Sequence, residues 1–255
     1  MEGIAGKTVM MFGGGGGIGA ATSLMLAAEG ANVVLTSRRE TTVQGVANQI
    51  REAGFDCLAL TADIGDEEAV PAAIAAAVEE YGGIDFAHVN AADTSPETIG
   101  RDTDAMRIDL DVFDRTIRTN LRGHLICTKY VIPQLLARGG GAIVYSSSGA
   151  AFSGEPERPA YAMAKSGMHA LMRHVASRWG KEGVRANVIA IGLTLTETIK
   201  NALEPEFIDQ ILATMSSPRL GRPEDIAQMV VYLMSSAGEY INGQVISVDG
   251  GSTMR

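Results

Sequence analysis

Thr8-Val9-Met10-Met11-Phe12-Gly13-Gly14-Gly15-Gly16-Gly17-Ile18-Gly19 is the stretch that decides the fold. Residues 8–12 form a short apolar run bounded by glycine, the pattern of a buried strand. From Ile18 onward the apolar spacing turns helical. Glycine accepts positive φ and lets main-chain N–H groups come close to a ligand. A helix N-terminus adds unpaired N–H groups and a partial positive charge. A strand, a glycine loop and a helix in that order make a cradle for a pyrophosphate, with Gly13, Gly17, Ile18 and Gly19 as its candidate contacts. The uncharged run 9–28 is not a membrane or signal segment, because six glycines weaken any helix through it and no cleavage pattern follows.

Working outward, apolar runs over 8–12, 32–36, 57–61, 84–89, 142–147, 185–191 and 244–248 read as strands. Helical patterns lie between them at 18–29, 41–53, 67–81, 112–137, 160–181 and 223–235. This alternation predicts an α/β fold, a single doubly wound parallel sheet of about seven strands with helices on both faces. No internal repeat or linker interrupts it, so residues 1–255 read as one domain. Segment 194–217 breaks the rhythm after a strand and reads as a lid over a binding site. At 46% hydrophobic and 20% charged the chain can bury a full core and is not disordered. A net charge of −9 disfavours nucleic acid and anionic membranes as partners. Two cysteines, Cys57 and Cys127, leave no disulfide framework or metal cluster, and no metal site is expected.

The second strand ends Thr36-Ser37-Arg38-Arg39. A carboxylate at this point would accept a ribose 2′-hydroxyl. Two guanidiniums instead suit a 2′-phosphate. NADP(H) is therefore favoured over NAD(H), with Ser37, Arg38 and Arg39 as its candidate contacts.

Tyr161 and Lys165 stand four residues apart, one turn along a helix and ~40° around it. On a wheel, Ala164, Met168, Leu171, Met172, Val175, Ala176 and Trp179 fall within ~80° of Tyr161, whereas Ser166, Arg173, His174 and Ser177 lie opposite. Lys165 thus sits in the apolar stripe, where a lysine is costly without a partner or a task. A phenol with an ordinary pKa near ~10 is a poor base at neutral pH, and a neighbouring cation favours its ionised form. The pair is fitted to exchange a proton with a substrate oxygen. On run 112–137, Phe113, Ile117, Val131 and Leu135 mark one apolar face that also carries Asn120 and His124. His124 reads as a core histidine. Asn120 is either a core strut or part of a polar site.

Taken together, these motifs resemble the short-chain dehydrogenase/reductase family in its ~250-residue Rossmann-like branch. The resemblance runs from Lys7 to Gly251 and includes the ending Asn242-Gly243-Gln244 and Val248-Asp249-Gly250-Gly251. It implies that Ser148, thirteen residues before Tyr161, polarises the substrate oxygen. It resolves Asn120 as the residue that holds a water against Lys165. Asp63 and Ile64 match the adenine contact, and Asn90 and Ala91 match a segment beside the cofactor. Gly192, Thr194 and Thr196 match the nicotinamide contact, and Lys165 would also bond the nicotinamide ribose. Three positions depart from the family pattern: Phe12 replaces a loop-bracing threonine, Ala92 a glycine and Ile191 a proline. All three touch the cofactor cradle and not the proton-transfer set.

The resulting expectation is an oxidoreductase passing a hydride between NADP(H) and a carbonyl or secondary alcohol. Apolar lid residues (Leu193, Leu195, Ile199, Leu203, Phe207, Ile211, Leu212, Met215) point to a neutral, bulky or cyclic ketone. The loop 93–110 carries four aspartates and Glu97 against Arg101 and Arg107, which disfavours an anionic substrate. The alternatives are NAD(H)-dependent oxidation of a cyclic alcohol or dihydrodiol, and a dinucleotide sensor or scaffold without turnover. An enoyl reductase would space its tyrosine and lysine more widely. A cytoplasmic location is expected, and the resemblance implies a homotetramer.

Overall fold

The computed structural model describes residues 1–202 and 204–254, with only the main chain of Ala202, Pro205, Phe207 and Thr214. The lid positions Leu203 and Phe207 therefore lie outside the described side chains. Seven strands, β1 (Thr8–Phe12), β2 (Asn32–Ser37), β3 (Cys57–Thr61), β4 (Phe86–Val89), β5 (Gly141–Ser148), β6 (Val184–Ile191) and β7 (Val245–Val248), form one sheet in the order β3-β2-β1-β4-β5-β6-β7. All neighbouring strands pair in parallel. The order reverses direction between β1 and β4, and in such sheets the crevice beyond those two strand ends is where ligands bind.

Alternation along the strands builds two cores. Met10, Phe12, Val34, Ile143 and Tyr145 pack with α3 (Ala69–Tyr81), α5 (Gly123–Ala137) and α6 (Pro159–Trp179). Val9, Met11, Val33, Leu35 and Val144 pack with α1 (Gly17–Ala28), α2 (Glu40–Glu52) and α9 (Pro223–Met234) on the opposite face. Every residue of β1 is buried, as a central strand covered on both sides must be. Both cysteines are buried free thiols. Segment 194–217 forms α7 (Glu197–Ala202) and α8 (Pro205–Thr214). Among the described residues no helix is long and apolar enough to cross a membrane.

Run 112–137 is not the single helix its pattern predicts. It divides into α4 (Leu110–Ile117), a π turn (Arg118–Arg122) and α5. The wider turn inserts one residue, so the helical phase slips by roughly 100° across it. The buried residues of α4 are Val112 and Thr116, not Phe113 and Ile117, although Val131 and Leu135 beyond the turn are buried as expected. Asn120 lies within the turn and is fully buried.

Candidate active site

The glycine loop leaves β1 at the switch point. Gly13 has φ +89°, and a Cβ there would stand 2.6 Å from the Ala91 main chain. A Cβ on Gly19 would overlap the Gly13 carbonyl, so the first turn of α1 can pack on the loop only without side chains. The Thr36 carbonyl accepts from the N–H groups of Gly13 (3.0 Å) and Gly14 (2.8 Å) and holds the loop without help from Phe12, which is buried in the core. On the far side, the Phe12 carbonyl accepts from Asn90 and Ala91, both at 2.9 Å.

These elements enclose a cleft of about 340 Å³. Of the sequence-derived cofactor residues, Gly13, Gly17, Ile18, Ser37, Arg38, Arg39, Asp63, Ile64, Asn90, Ala91 and Thr196 line it. Gly19 lies beneath the loop. Gly192 is packed against Asp249, and the Thr194 hydroxyl donates back to the Gly192 carbonyl at 3.1 Å. Ala62, Thr94 and Thr198 line the cleft without having been singled out, and the lid residue Ile199 reaches it as well. Ser37 bonds Thr42 at 2.9 Å, and Thr42 donates to the Arg39 carbonyl at 2.8 Å. That tight turn leaves Arg38 and Arg39 exposed at the cleft edge. Burial acts to raise the pKa of Asp93, but hydrogen bonds from Ser95 and Thr98 and the charge of Arg38 outweigh it and hold it low. The glycine-built floor, with N–H groups at a helix start and two cations at the second strand end, fits the phosphates of a nicotinamide dinucleotide.

Beside the cleft, α6 presents Tyr161 and Lys165. The wheel holds here: Ala164, Lys165, Met168, Met172 and Val175 are buried, while Ser166, Arg173, His174 and Ser177 are exposed. Lys165 is 2% exposed, and its Nζ donates to the Ser146 carbonyl at 2.9 Å. Its ammonium lies 5.5 Å from the centre of the Tyr161 ring. Burial lowers its pKa from 10.5 to about 7. Burial also raises the pKa of Tyr161, against a hydrogen bond with Ser148 and the charge of Arg158, with Glu155 adding to the rise. The protein's own groups therefore favour the neutral phenol.

The three serines ending β5 take separate places. Ser146 and Ser147 are buried. Ser147 donates to the Lys165 carbonyl at 3.1 Å and pairs with His169 at 2.9 Å. Ser148 is half-buried, accepts from Ala150 N–H at 3.2 Å and is the hydrogen-bond partner of Tyr161. The Asn120 amide grips one residue at both ends: its Oδ1 accepts from Asp93 N–H at 2.7 Å, and its Nδ2 donates to the Asp93 carbonyl at 3.1 Å.

Sequence reasoning missed Asp102. Helix α6 starts at Pro159, which has no N–H, after Arg158, the one non-glycine with positive φ among the described residues. The next two N–H groups, of Ala160 and Tyr161, donate to the Asp102 carboxylate at 3.2 and 2.8 Å. Asp102 is 2% exposed. A carboxylate from a distant loop thus caps the helix that carries Tyr161. Asp102→Ala leaves both buried N–H groups unpartnered, so a loss of about 2 kcal/mol is expected, with a kcat roughly tenfold lower. Thermal melts and steady-state rates check this, and Asp102→Asn, which keeps one acceptor, should fall between the two.

A doubly wound sheet with a glycine cradle at its switch point, and a serine, a tyrosine and a lysine beside it, defines a dinucleotide-dependent oxidoreductase. A family model described as Enoyl-(Acyl carrier protein) reductase matches residues 14–253. A probable short-chain type dehydrogenase/reductase of Bradyrhizobium diazoefficiens is 37% identical over 246 residues, covering 96% of this chain and 87% of that protein. The 7alpha-hydroxysteroid dehydrogenase of Bacteroides fragilis is 31% identical, covering 100% of this chain and 97% of that protein. Among solved structures, a 7 alpha-hydroxysteroid dehydrogenase complexed with NADH and 7-oxo glycochenodeoxycholic acid matches with a TM-score of 0.91 at 28% identity, over 99% of this chain and 96% of that one. The chain belongs to the short-chain dehydrogenase/reductase family, oxidoreductases that act on alcohol or ketone groups.

Proposed function

We propose that the protein reduces a neutral, bulky or cyclic ketone with NADPH, and oxidises the corresponding alcohol with NADP in reverse. The observation that carries the reading is the hydroxyl pair Ser148–Tyr161 beside the buried Lys165. Tyr161 gives its phenolic proton to the substrate oxygen in reduction and recovers it in oxidation. Ser148 donates a hydrogen bond to the same oxygen, where negative charge develops. A phenol kept neutral by its surroundings is the form a general acid needs, which supports reduction at neutral pH. Lys165, held on the Ser146 carbonyl, biases the tyrosine toward giving up its proton when charged. Asn120, fixed by its two bonds to Asp93, would hold a water against Lys165.

When bound, NADP(H) supplies the hydride chemistry. Gly13, Gly17, Ile18 and Gly19 would hold its pyrophosphate, and Asp63 and Ile64 its adenine. Asn90, Ala91, Gly192, Thr194, Thr196 and Lys165 would hold its nicotinamide end. Arg38 and Arg39 would take the 2′-phosphate, and their exposure at the cleft edge supports NADP(H) over NAD(H). The half-buried Leu193, Leu195, Ile199, Leu212 and Met215 support an apolar substrate beneath a lid over 194–217, within one catalytic domain. Leu125, Leu136 and Met163, exposed on α5 and α6, support a homotetramer assembled through those helices.

The test is consumption of NADPH and of NADH with a panel of cyclic, aromatic and steroid-like ketones. NADPH consumption with a cyclic ketone is expected. A preference for NADH, or tight NADPH binding without turnover of any ketone or alcohol, overturns the reading. Arg38→Ala is expected to raise the KM for NADPH by about tenfold or more, the loss of one charged hydrogen bond, and to leave that for NADH unchanged.

A further inference from the structure

His88 lies in the interior of β4 and is wholly buried. An aliphatic residue would fill such a strand position without a polar group to satisfy. The His88 Nε2 stands 2.9 Å from Ser146 Oγ, and its Nδ1 has no hydrogen-bond partner among the described residues. The Ser146 hydroxyl donates to Asn90 Oδ1 at 2.9 Å, and Asn90 Nδ2 donates to the Gly13 carbonyl at 3.1 Å.

The direction of this chain follows from proton counting. The Gly13 carbonyl can only accept, so Asn90 must turn its Nδ2 toward Gly13 and its Oδ1 toward Ser146. The single Ser146 hydroxyl proton then goes to Asn90. Ser146 Oγ can only accept from His88, so the proton of the imidazole is on Nε2 and Nδ1 is a bare lone pair. The Ser146 carbonyl meanwhile holds Lys165 Nζ at 2.9 Å. One residue of β5 therefore joins the anchor of the lysine to the floor of the dinucleotide cleft, and His88 stands at the root of that connection.

We infer that His88 is a positioning residue: as the neutral Nε2–H tautomer it fixes a one-way hydrogen-bond chain, His88 to Ser146 to Asn90 to Gly13, that registers the glycine loop against the Lys165 anchor. Burial lowers its pKa to about 3, so the imidazole stays neutral over the working range. Fixing the Ser146 hydroxyl fixes the β5 peptide that Lys165 bonds, and fixing Asn90 fixes the Gly13 carbonyl at the start of the cradle. The effect on turnover rests on the proposed reductase reading. The tautomer and the effect on dinucleotide binding do not.

The experiment is ¹⁵N NMR of the histidine-labelled full chain, with NADPH dissociation constants and steady-state kinetics for His88→Gln, His88→Leu and Ser146→Ala. Gln carries a donor near the Nε2 position. In wild type a slowly exchanging proton is expected on Nε2 of His88 and none on Nδ1. A proton on Nδ1, or on both nitrogens, overturns the inference. His88→Leu is expected to raise the NADPH dissociation constant and to lower kcat by about tenfold each, with little change in ketone KM, and Ser146→Ala to do the same. His88→Gln should restore both to within about threefold of wild type. Equal behaviour of the Gln and Leu variants, or a Ser146→Ala protein that binds NADPH like wild type, overturns it. A tautomer and dissociation constants as expected, with no ketone turnover by wild type, would sink the reductase reading and leave the positioning role standing.

Discussion

Tyr161→Phe is expected to lower kcat by about a thousandfold or more, while the NADPH dissociation constant and the melting temperature stay near wild type. Phenylalanine fills the same pocket on α6 and keeps the main-chain N–H that Asp102 holds. Only the hydroxyl is lost, and with it the proton donor and the partner of Ser148. Single-turnover measurement at saturating NADPH separates this from a defect in release. A variant with more than about a tenth of wild-type kcat would assign the proton to another group. Ser148→Ala, which removes one hydrogen bond and leaves the donor, should lose less.

Lys165→Met should lower kcat by about a hundredfold and make the protein more stable, by about 1–2 kcal/mol at pH 7. The amine is buried in the apolar stripe and donates to the Ser146 carbonyl. Its pKa falls from 10.5 to about 7. Between those values the unfolded chain holds a proton that the folded one does not, so folding must release it. The penalty is complete at pH 7 and below, and it fades as pH rises toward 10.5. The advantage of Lys165→Met is therefore largest at neutral and acidic pH and should vanish near pH 10. Denaturant titrations of both proteins at pH 7 and pH 10 check the sign. An advantage that grows with pH would mean that the lysine is stabilised in its charged form.

What could be read in the sequence was what depends on local periodicity. The strand 8–12, the glycine loop and the wheel of 160–181 hold because each is a regular element whose neighbours follow from its own pattern. The placement of Phe113 and Ile117 failed because the π turn adds a residue without changing the apolar spacing around it. A sign of that region's tightness was Gly123, where a Cβ would meet Ile64 at 2.8 Å. Asp102 and His88 could not be found that way. Asp102 meets residues 58 and 59 positions ahead, through a loop with no period at all. The role of His88 depends on the register that pairs it with Val144 and so brings Ser146 within reach, and a single sequence does not state register.

The cap of α6 has a consequence for how this enzyme can be altered. Loop 93–110 and the helix of Tyr161 look like separate modules, one irregular and one regular. They are joined through a single carboxylate, and the Arg158 N–H also donates to the carbonyls of Asp102 and Thr103, both at 2.9 Å. A chimaera that exchanges the loop for another removes the cap from the start of the Tyr161 helix. The transplant must bring an acid to the same point, or rebuild a turn at Arg158 that caps itself. Loop and helix are in that sense one physical unit, and a change in the first is felt at the start of the second.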